Sequence, residues 1–335
     1  MTHVIGVIGA GVIARTIHLP GLTSMPEVRV AWVADADDAR GAATAAAFGI
    51  PHALISTVAD VARGCDAALL AIPVGVRATY LTLLANHGVA VLVEKPFARN
   101  VREHDEIVAM FPAHKIACGF MRRTYSSTLQ VRQILRDGWL GRPTRIRISE
   151  GGRMTKTGTD RSYFDDAKAG GGGILLELGC HALDVVLHLT GAQSHRIVRQ
   201  TMLLDRHTDR RAEAEVLLYE GAVGQGEPIA LEYVFSWLDR QQNRVEIEFP
   251  AARLLFGTRP DSPLIILGRQ GPDELRFLPA ASAAITSNQA FYLEWCWFLE
   301  GLASRVPSPI AAHSCRQVTA LVEDLYAAAR AGSGP

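Results

Sequence analysis

The fold class of this chain is indicated near its beginning by residues 4–14, which read VIGVIGAGVIA. Residues 4–8 have the length and the β-branched content of a buried strand. Gly9, Gly11 and Ala14 then follow the pattern G-x-G-x-x-G/A at the point where the strand gives way to a helical pattern. In that context the pattern predicts the first strand–turn–helix unit of a parallel, doubly wound sheet.

The same turn predicts a dinucleotide site. Gly9 permits the tight turn, Gly11 lets the backbone approach a pyrophosphate, and Ala14 allows the helix to pack closely on the strand. The pyrophosphate would lie at the positive end of that helix, beside Val12 and Ile13. The alternative interpretation is a glycine turn without a ligand, followed by a surface aspartate.

An acidic residue ends the second predicted strand. Asp35 stands 26 residues after Gly9, and its carboxylate can accept both hydroxyls of a ribose. A carboxylate repels a 2′-phosphate, so the sequence favours NAD(H) over NADP(H). Arg40 is near enough in sequence to hold that phosphate, which leaves NADP(H) as an alternative.

Short apolar runs alternate with helical patterns over the first 118 residues. This alternation predicts a Rossmann domain over residues 1–118, with a doubly wound parallel sheet and right-handed crossovers. The predicted strands are 4–8, 28–34, 67–72, 89–93 and 116–118, and the predicted helices are 13–23, 38–48, 76–86 and 101–110.

The alternation of short apolar runs with helical patterns ends after about residue 120, which predicts a second, α+β domain over 119–335. Short connections between its strand-like runs favour a large, mostly antiparallel open sheet, with the active site in the crevice between the domains. The predicted strands are 144–150, 197–204, 213–219, 229–237, 245–249, 254–257 and 264–268, and the predicted helices are 126–137, 174–189, 287–303 and 313–331.

Two clusters carry candidate chemistry. Lys95, between Glu94 and Pro96, directly follows a parallel strand at the sheet edge where ligands bind, although it could be a salt-bridged edge lysine. Glu177 and His181 share one face of the apolar helix at i and i+4, with Asp184 three residues further on. Such groups are costly in an apolar helix unless they serve a site or satisfy one another, and a metal half-site is a further alternative.

These residues together resemble the Gfo/Idh/MocA oxidoreductase family, which includes glucose–fructose oxidoreductase and inositol dehydrogenase. The resemblance covers essentially the whole chain. It is carried by the glycine turn, Asp35, the Glu94-Lys95-Pro96 strand end, the glycine-rich loop before residues 179–184, and the segment 119–123.

The resemblance implies hydride transfer between nicotinamide and a carbinol or keto carbon of a sugar, cyclitol or nucleotide-linked sugar. By position, Lys95 is the catalytic or substrate-orienting lysine, and His181 is the acid/base. Glu177 stands where many relatives carry aspartate. The resemblance also implies a homodimer or homotetramer built through the C-terminal sheet. The alternatives are a redox-neutral, NAD-dependent glycoside hydrolase and a dinucleotide-binding sensor.

One segment departs from the family pattern. Residues 72–77, IPVGVR, stand where relatives commonly show Thr-Pro-Asn-x-x-His. Ile72 and Pro73 are therefore expected beside the cofactor together with Glu94 and Lys95. Val74 and Arg77 replace polar groups that relatives usually place there.

Basic and aromatic residues of the second domain suggest how a substrate is held. A phosphate- or carboxylate-bearing sugar would suit them because arginine binds such groups bidentately, whereas solvated loop charges are the alternative. Besides Lys95, Glu177 and His181, the predicted substrate-binding residues are Arg123, Arg153 and Tyr163, within a cluster that also contains Arg122, Lys156 and Arg161.

Composition excludes several other classes. The 34 basic and 34 acidic residues balance, so no basic surface for nucleic acid or lipid is expected. Five scattered cysteines without a CxxC favour neither a disulfide framework nor zinc. No apolar run is long enough for a membrane span, and the N-terminus lacks the basic start of a signal peptide. A cytoplasmic protein is therefore expected.

Overall fold

The structure is a computed structural model that describes residues 2–154, 172–205, 208–221, 226–268, 274–279 and 283–332. The chain folds into two compact units. The first comprises Met1–Met121 and Phe291–Arg316, and the second comprises Arg122–Ala290 and Gln317–Pro335. The predicted domains 1–118 and 119–335 did not include this return of the chain to the first unit.

The first unit contains the predicted parallel sheet. Its strand order is β2-β1-β3-β4-β5, so the direction of winding reverses between β1 and β3. That reversal leaves a ligand crevice at the carboxyl ends of the strands. The strands are β1 (His3–Ile8), β2 (Val28–Ala34), β3 (Ala67–Leu70), β4 (Ala90–Val93) and β5 (Ile116–Cys118), all paired in parallel.

Helices cover this sheet, and the first departs from the predicted continuous helix 13–23. It opens with a π-helical turn, Ala14–His18, before α1 (Leu19–Ser24). Pro20 has no N–H to donate, and the Leu19 N–H bonds the Ala14 carbonyl five residues back. The other helices before β5 are α2 (Asp38–Phe48), α3 (Val58–Ala62), α4 (Arg77–Asn86) and α5 (Val101–Ala109).

The returning segment completes the core of the first unit. Trp295 and Phe298 are buried among Ile5, Leu19 and Val33. They lie on an aromatic-rich helix, Ser287–Ser304. Trp295 and Phe298 are therefore core residues of the first unit.

The second unit is built on an eight-stranded sheet in the order β13-β12-β11-β10-β6-β9-β8-β7. All neighbours are antiparallel except β6 and β9, which confirms the mostly antiparallel prediction. The strands are β6 (Arg145–Gly151), β7 (Ser194–Asp205), β8 (Thr208–Tyr219), β9 (Ile229–Ser236), β10 (Arg244–Glu248), β11 (Ala252–Gly257), β12 (Leu264–Gly268) and β13 (Glu274–Phe277).

β13 was not predicted from the sequence. This edge strand is four residues long, reads ELRF, and is largely exposed. Short, charged edge strands lack the alternation of a half-buried strand, because one side has no neighbour to pack against. The helices of this unit are α6 (Ser126–Asp137), α7 (Cys180–Thr190), which follows a π-helical turn Leu175–Gly179, and α9 (Arg316–Gly332), while Ser287–Ser304 is α8.

The start of the helix that carries Glu177 and His181 is tied to β8 by one buried side chain. Asp209 accepts the N–H groups of Gly173 and Leu175, each at 2.8 Å, and the hydroxyl of Tyr326 at 2.7 Å. An added Cβ at Gly173 would lie 1.9 Å from the Asp209 carbonyl oxygen. Glycine is therefore required here by the close approach of the helix to the sheet.

We expect Asp209→Asn to lower the free energy of unfolding by about 1–3 kcal/mol, because an amide NH2 faces one of these donors and leaves it unsatisfied. Tyr326→Phe removes one hydroxyl and should cost about 1 kcal/mol. Urea unfolding of both variants tests this, with the exposed Asp261→Asn as the matched control. Equal stability of Asp209→Asn and the control would contradict the assignment.

Candidate active site

The glycine turn has the geometry that a dinucleotide needs. Gly9 has φ +103°, and a Cβ there would lie 2.3 Å from the Ala71 carbonyl oxygen, so the fold itself requires glycine. A Cβ on Gly11 would meet no heavy atom within 4 Å. Gly11 thus leaves open space in front of the backbone, as a bound pyrophosphate requires. The next residue, Val12, is 56% exposed, and Ile13 is half-buried.

Asp35 is held at the end of β2 with its carboxylate oriented by three donors. Oδ2 accepts the Ala10 N–H at 2.6 Å, and Oδ1 accepts the Asp37 N–H at 2.8 Å and Arg40 Nη2 at 2.6 Å. Burial alone would raise the pKa of Asp35, but the hydrogen bonds from Arg40, Ala10 and Asp37 bring it below its usual value. The Asp35 carboxylate is therefore ionised and contacts Arg40. These are the two residues predicted to determine whether NAD(H) or NADP(H) is preferred.

The Lys95 loop follows β4 and includes a cis Lys95–Pro96 peptide bond. Glu94 is buried beside it. One carboxylate oxygen, Oε1, lies 2.8 Å from His18 Nε2, and the other, Oε2, accepts the Lys95 backbone N–H at 3.1 Å. Trp295 Nε1 donates to His18 Nδ1 at 3.0 Å. Glu94 thus orients the backbone of the predicted catalytic lysine.

His18 and Trp295 were not predicted from the sequence as residues of this site. The two residues lie 277 positions apart, and their contact depends on the return of α8 to the first unit. The signal available in the sequence was a histidine spaced four residues from both Ala14 and Leu22, on the apolar face of the predicted helix. Such a residue is costly in a core unless a partner satisfies it.

The electrostatics of Glu94 favour its ionised form. Burial raises the pKa of Glu94, and the His18 hydrogen bond with the charges of Lys95 and Arg77 brings it below the usual value. Arg77 itself is only 3% exposed. Its Nε donates to the Ile72 carbonyl at 2.8 Å, and its Nη1 donates to the Pro96 carbonyl. Arg77 therefore joins the loop containing Ile72 and Pro73 to the loop containing Lys95.

In the second unit, His181 is buried and Glu177 is half-buried on the segment from Leu175 to Thr190. Asp184 has a different role. Its carboxylate pairs with Arg123 through Nε and Nη2, and the two side chains are 0% and 1% exposed. Burial raises the pKa of Asp184, and the Arg123 charge opposes that rise. Asp184 is thus satisfied by an arginine.

This pairing bears on the predicted substrate-binding residues. Arg123 pairs with Asp184 and is 1% exposed, so we do not propose it as a substrate contact. Arg122 is similarly committed, since Nη1 and Nη2 each lie 2.8 Å from a Glu150 carboxylate oxygen. Arg153 is exposed just after β6. The remaining predicted residues, Tyr163, Lys156 and Arg161, lie outside the described residues.

Lys95 and its neighbours belong to the first unit, and Glu177 and His181 belong to the second. Within the described part of the chain, no three His, Cys, Asp or Glu side chains are grouped as metal ligands. Over the same residues, no helix has both the length and the apolar character to cross a membrane.

The glycine turn, the anionic Asp35 and the strand order define the first unit as an NAD-binding Rossmann domain. Family models agree over both units: the oxidoreductase family, NAD-binding Rossmann fold, matches residues 4–120, and the GFO/IDH/MocA C-terminal domain matches residues 128–248. The chain therefore belongs to the Gfo/Idh/MocA oxidoreductase family, which confirms the resemblance seen in the sequence.

Two curated relatives have similar sequences. The chain is 31% identical over 196 residues to dTDP-3,4-didehydro-2,6-dideoxy-alpha-D-glucose 3-reductase of Streptomyces antibioticus, covering 57% of each protein. It is 30% identical over 238 residues to inositol 2-dehydrogenase 1 of Saccharopolyspora erythraea, covering 67% of this chain and 65% of the relative. The matched parts of the curated relatives thus span about half to two thirds of their lengths.

A solved structure shows the same fold. The aldose-aldose oxidoreductase from Caulobacter crescentus, complexed with glycerol, aligns with a TM-score of 0.84 at 17% identity. The alignment covers 99% of this chain and 98% of that chain. At this identity the likeness shows the fold alone.

A buried histidine behind the Lys95 loop predicts how stability depends on pH. His104 is 0% exposed. The centroid of its ring lies 4.5 Å from the centroid of the Phe97 ring, and its Nε2 lies 3.1 Å from the Ala312 carbonyl oxygen. Burial lowers the pKa of His104 from 6.5 to about 4. Between these pH values the unfolded chain takes up a proton that the folded protein excludes. Stability is therefore full above pH 6.5 and falls as the pH drops towards 4.

The expected loss from this one group is about 3 kcal/mol across that window. His104→Gln does not titrate, so its unfolding free energy should decline less steeply with falling pH than that of the wild type. Urea unfolding at a series of pH values tests this. The exposed His313→Gln serves as control. Parallel curves for His104→Gln and wild type would refute the prediction.

Proposed function

We propose that this protein is an NAD(P)-dependent dehydrogenase or ketoreductase. Its substrate would be a sugar, cyclitol or nucleotide-linked sugar, and the oxidised or reduced group a carbinol or keto carbon. The observation that carries the proposal is the position of Lys95. It lies after β4, two strands from β1 and its dinucleotide turn, at the same carboxyl edge of the parallel sheet.

Substrate class is supported by the names of the relatives. One matched relative is a reductase of a dTDP-linked keto-sugar, and another is an inositol dehydrogenase. Arg153 is exposed in the second unit and is a proposed contact for an anionic substituent on such a substrate. Tyr163 remains a predicted contact from the sequence.

The proposed chemistry assigns proton transfer to the protein. A bound nicotinamide would supply the hydride acceptor or donor at C4. In the oxidation direction, His181 takes the hydroxyl proton as the C–H bond breaks and the C=O bond forms, and it returns the proton in reduction. The Lys95 ammonium stabilises the developing alkoxide. Glu177 orients His181 or the substrate, and Glu94 and His18 hold the Lys95 backbone.

The cofactor preference follows from Asp35. Its anionic carboxylate is already oriented by backbone N–H groups and can accept ribose hydroxyls, which favours NAD(H). Arg40 contacts Asp35 and has a side chain that is 42% exposed, so it is available to a 2′-phosphate.

We expect Asp35→Ser to raise the ratio of NADP(H) to NAD(H) affinity by about tenfold or more, measured by nucleotide fluorescence. An unchanged ratio would remove Asp35 from cofactor selection.

Lys95→Ala tests the reaction itself. Turnover should fall by about a hundredfold or more, because the alkoxide loses its positive partner, while NADH affinity stays within about threefold. The assay follows nicotinamide absorbance with NAD⁺ or NADP⁺ and a panel of sugars, nucleotide sugars and inositols. Lys115→Ala, whose ammonium bonds the Gly88 carbonyl in the same unit, is the control.

Other outcomes of this assay separate the alternatives. Near-wild-type turnover in Lys95→Ala would exclude Lys95 from the mechanism. Glycoside cleavage by the wild type without net change of the cofactor would identify the redox-neutral hydrolase. Dinucleotide binding without turnover of any substrate would favour the sensor.

We further propose that the protein forms a homodimer or homotetramer through the sheet of the second unit. Oppositely charged side chains pair across the strands on one face, with Arg147 3.0 Å from Glu232 and Arg199 3.0 Å from Glu215. Such a row can pair with its copy about a twofold axis. Sedimentation of the wild type and Glu232→Arg tests this; a monomeric wild type would contradict it.

All five cysteines are free, which supports a reducing, cytoplasmic location.

A further inference from the structure

Arg77 is a buried cation at the edge where the dinucleotide is expected to bind. It begins α4, and its guanidinium spans two loops by donating to the carbonyls of Ile72 and Pro96. Those loops follow β3 and β4, which are neighbours in the sheet. The side chain is therefore fixed in place by backbone groups on both sides.

The charge of Arg77 is permanent, since a guanidinium is not deprotonated in proteins. It acts on Glu94 together with the charge of Lys95. The Trp295 N–H donates to His18 Nδ1 at 3.0 Å, and His18 Nε2 lies 2.8 Å from Glu94 Oε1.

Strand order indicates which part of a dinucleotide comes near Arg77. Asp35, the predicted ribose partner on the adenine side, ends β2 at one side of β1. The Ile72 and Lys95 loops lie on the other side of β1, after β3 and β4. A dinucleotide whose adenine ribose contacts Asp35, and which crosses the glycine turn after β1, therefore extends its nicotinamide end towards Arg77.

We propose that Arg77 is a specificity-determining residue that makes the site bind the reduced dinucleotide more tightly than the oxidised one. The inference rests on the proposed function, because it requires a nicotinamide at this edge. The oxidised and reduced nicotinamides differ by one positive charge on the ring, and the rest of the two molecules is the same. A fixed cation on the nicotinamide side of the site repels the positively charged oxidised ring more strongly than the neutral reduced ring.

The test measures dissociation constants for NAD⁺ and NADH by calorimetry and nucleotide fluorescence, without any substrate. In Arg77→Met the ratio of the NAD⁺ to the NADH dissociation constant should fall about three- to tenfold, as expected for loss of one nearby charge. Arg77→Lys retains the charge and should keep the ratio within about twofold of wild type. Arg77→Gln, which keeps a hydrogen-bond donor but no charge, should behave like Arg77→Met.

Arg63→Met is the matched control, because it removes an exposed arginine just before β3, at the opposite end of that strand. It should leave the ratio unchanged. Circular dichroism identifies variants that fail to fold, and Arg77→Gln then replaces Arg77→Met as the decisive protein.

The outcomes separate this inference from the proposed function. If Arg77→Met and Arg77→Gln bind both dinucleotides with the wild-type ratio, the inference is overturned and the proposed function stands. The inference is also overturned, and the proposed function stands, if the affinity for both dinucleotides falls equally in Arg77→Lys, Arg77→Gln and Arg77→Met. That pattern indicates a structural role only. If the wild-type protein binds neither dinucleotide, the proposed function itself fails.

Discussion

The arrangement of the first unit depends on one buried carboxylate. Glu94 lies at the carboxyl edge of the parallel sheet, and a buried anion is tolerated only when hydrogen bonds and opposite charges compensate it. His18 from the first crossover, the Lys95 N–H from the same loop, and the charge of Arg77 from α4 provide this compensation. Trp295, on the returning helix, donates its N–H to His18 Nδ1. A single acidic group thus connects four separate segments around the lysine proposed to act on substrate.

Buried acids organise the second unit in the same way. Asp209 holds the start of the segment that carries Glu177 and His181, and Asp184 holds Arg123. The sequence alone could not separate these structural acids and arginines from those available to a substrate. In each case the deciding quantity is burial, and burial depends on which strand packs against which helix.

Most of the strands could be predicted because parallel, two-sided burial leaves a short apolar run, and one-sided burial leaves alternation. The edge strand β13 was missed because neither pattern applies to it. The π-helical turns at Ala14–His18 and Leu175–Gly179 were also missed, since their hydrogen bonds depend on one extra residue per turn and leave no periodic signal. Both turns lie in segments that carry candidate site residues, His18 in one and Glu177 in the other.

The sequence by itself determined the fold class, the dinucleotide turn, Asp35, and the two segments that carry Lys95 and His181. These features are local, because each depends on residue types at short, regular spacing along the chain. The tertiary structure alone decided that Trp295 contacts His18, that Arg123 pairs with Asp184, and that Arg77 joins two loops. Those contacts join residues far apart in sequence or depend on side-chain burial, and only the packed chain brings such groups within hydrogen-bonding distance.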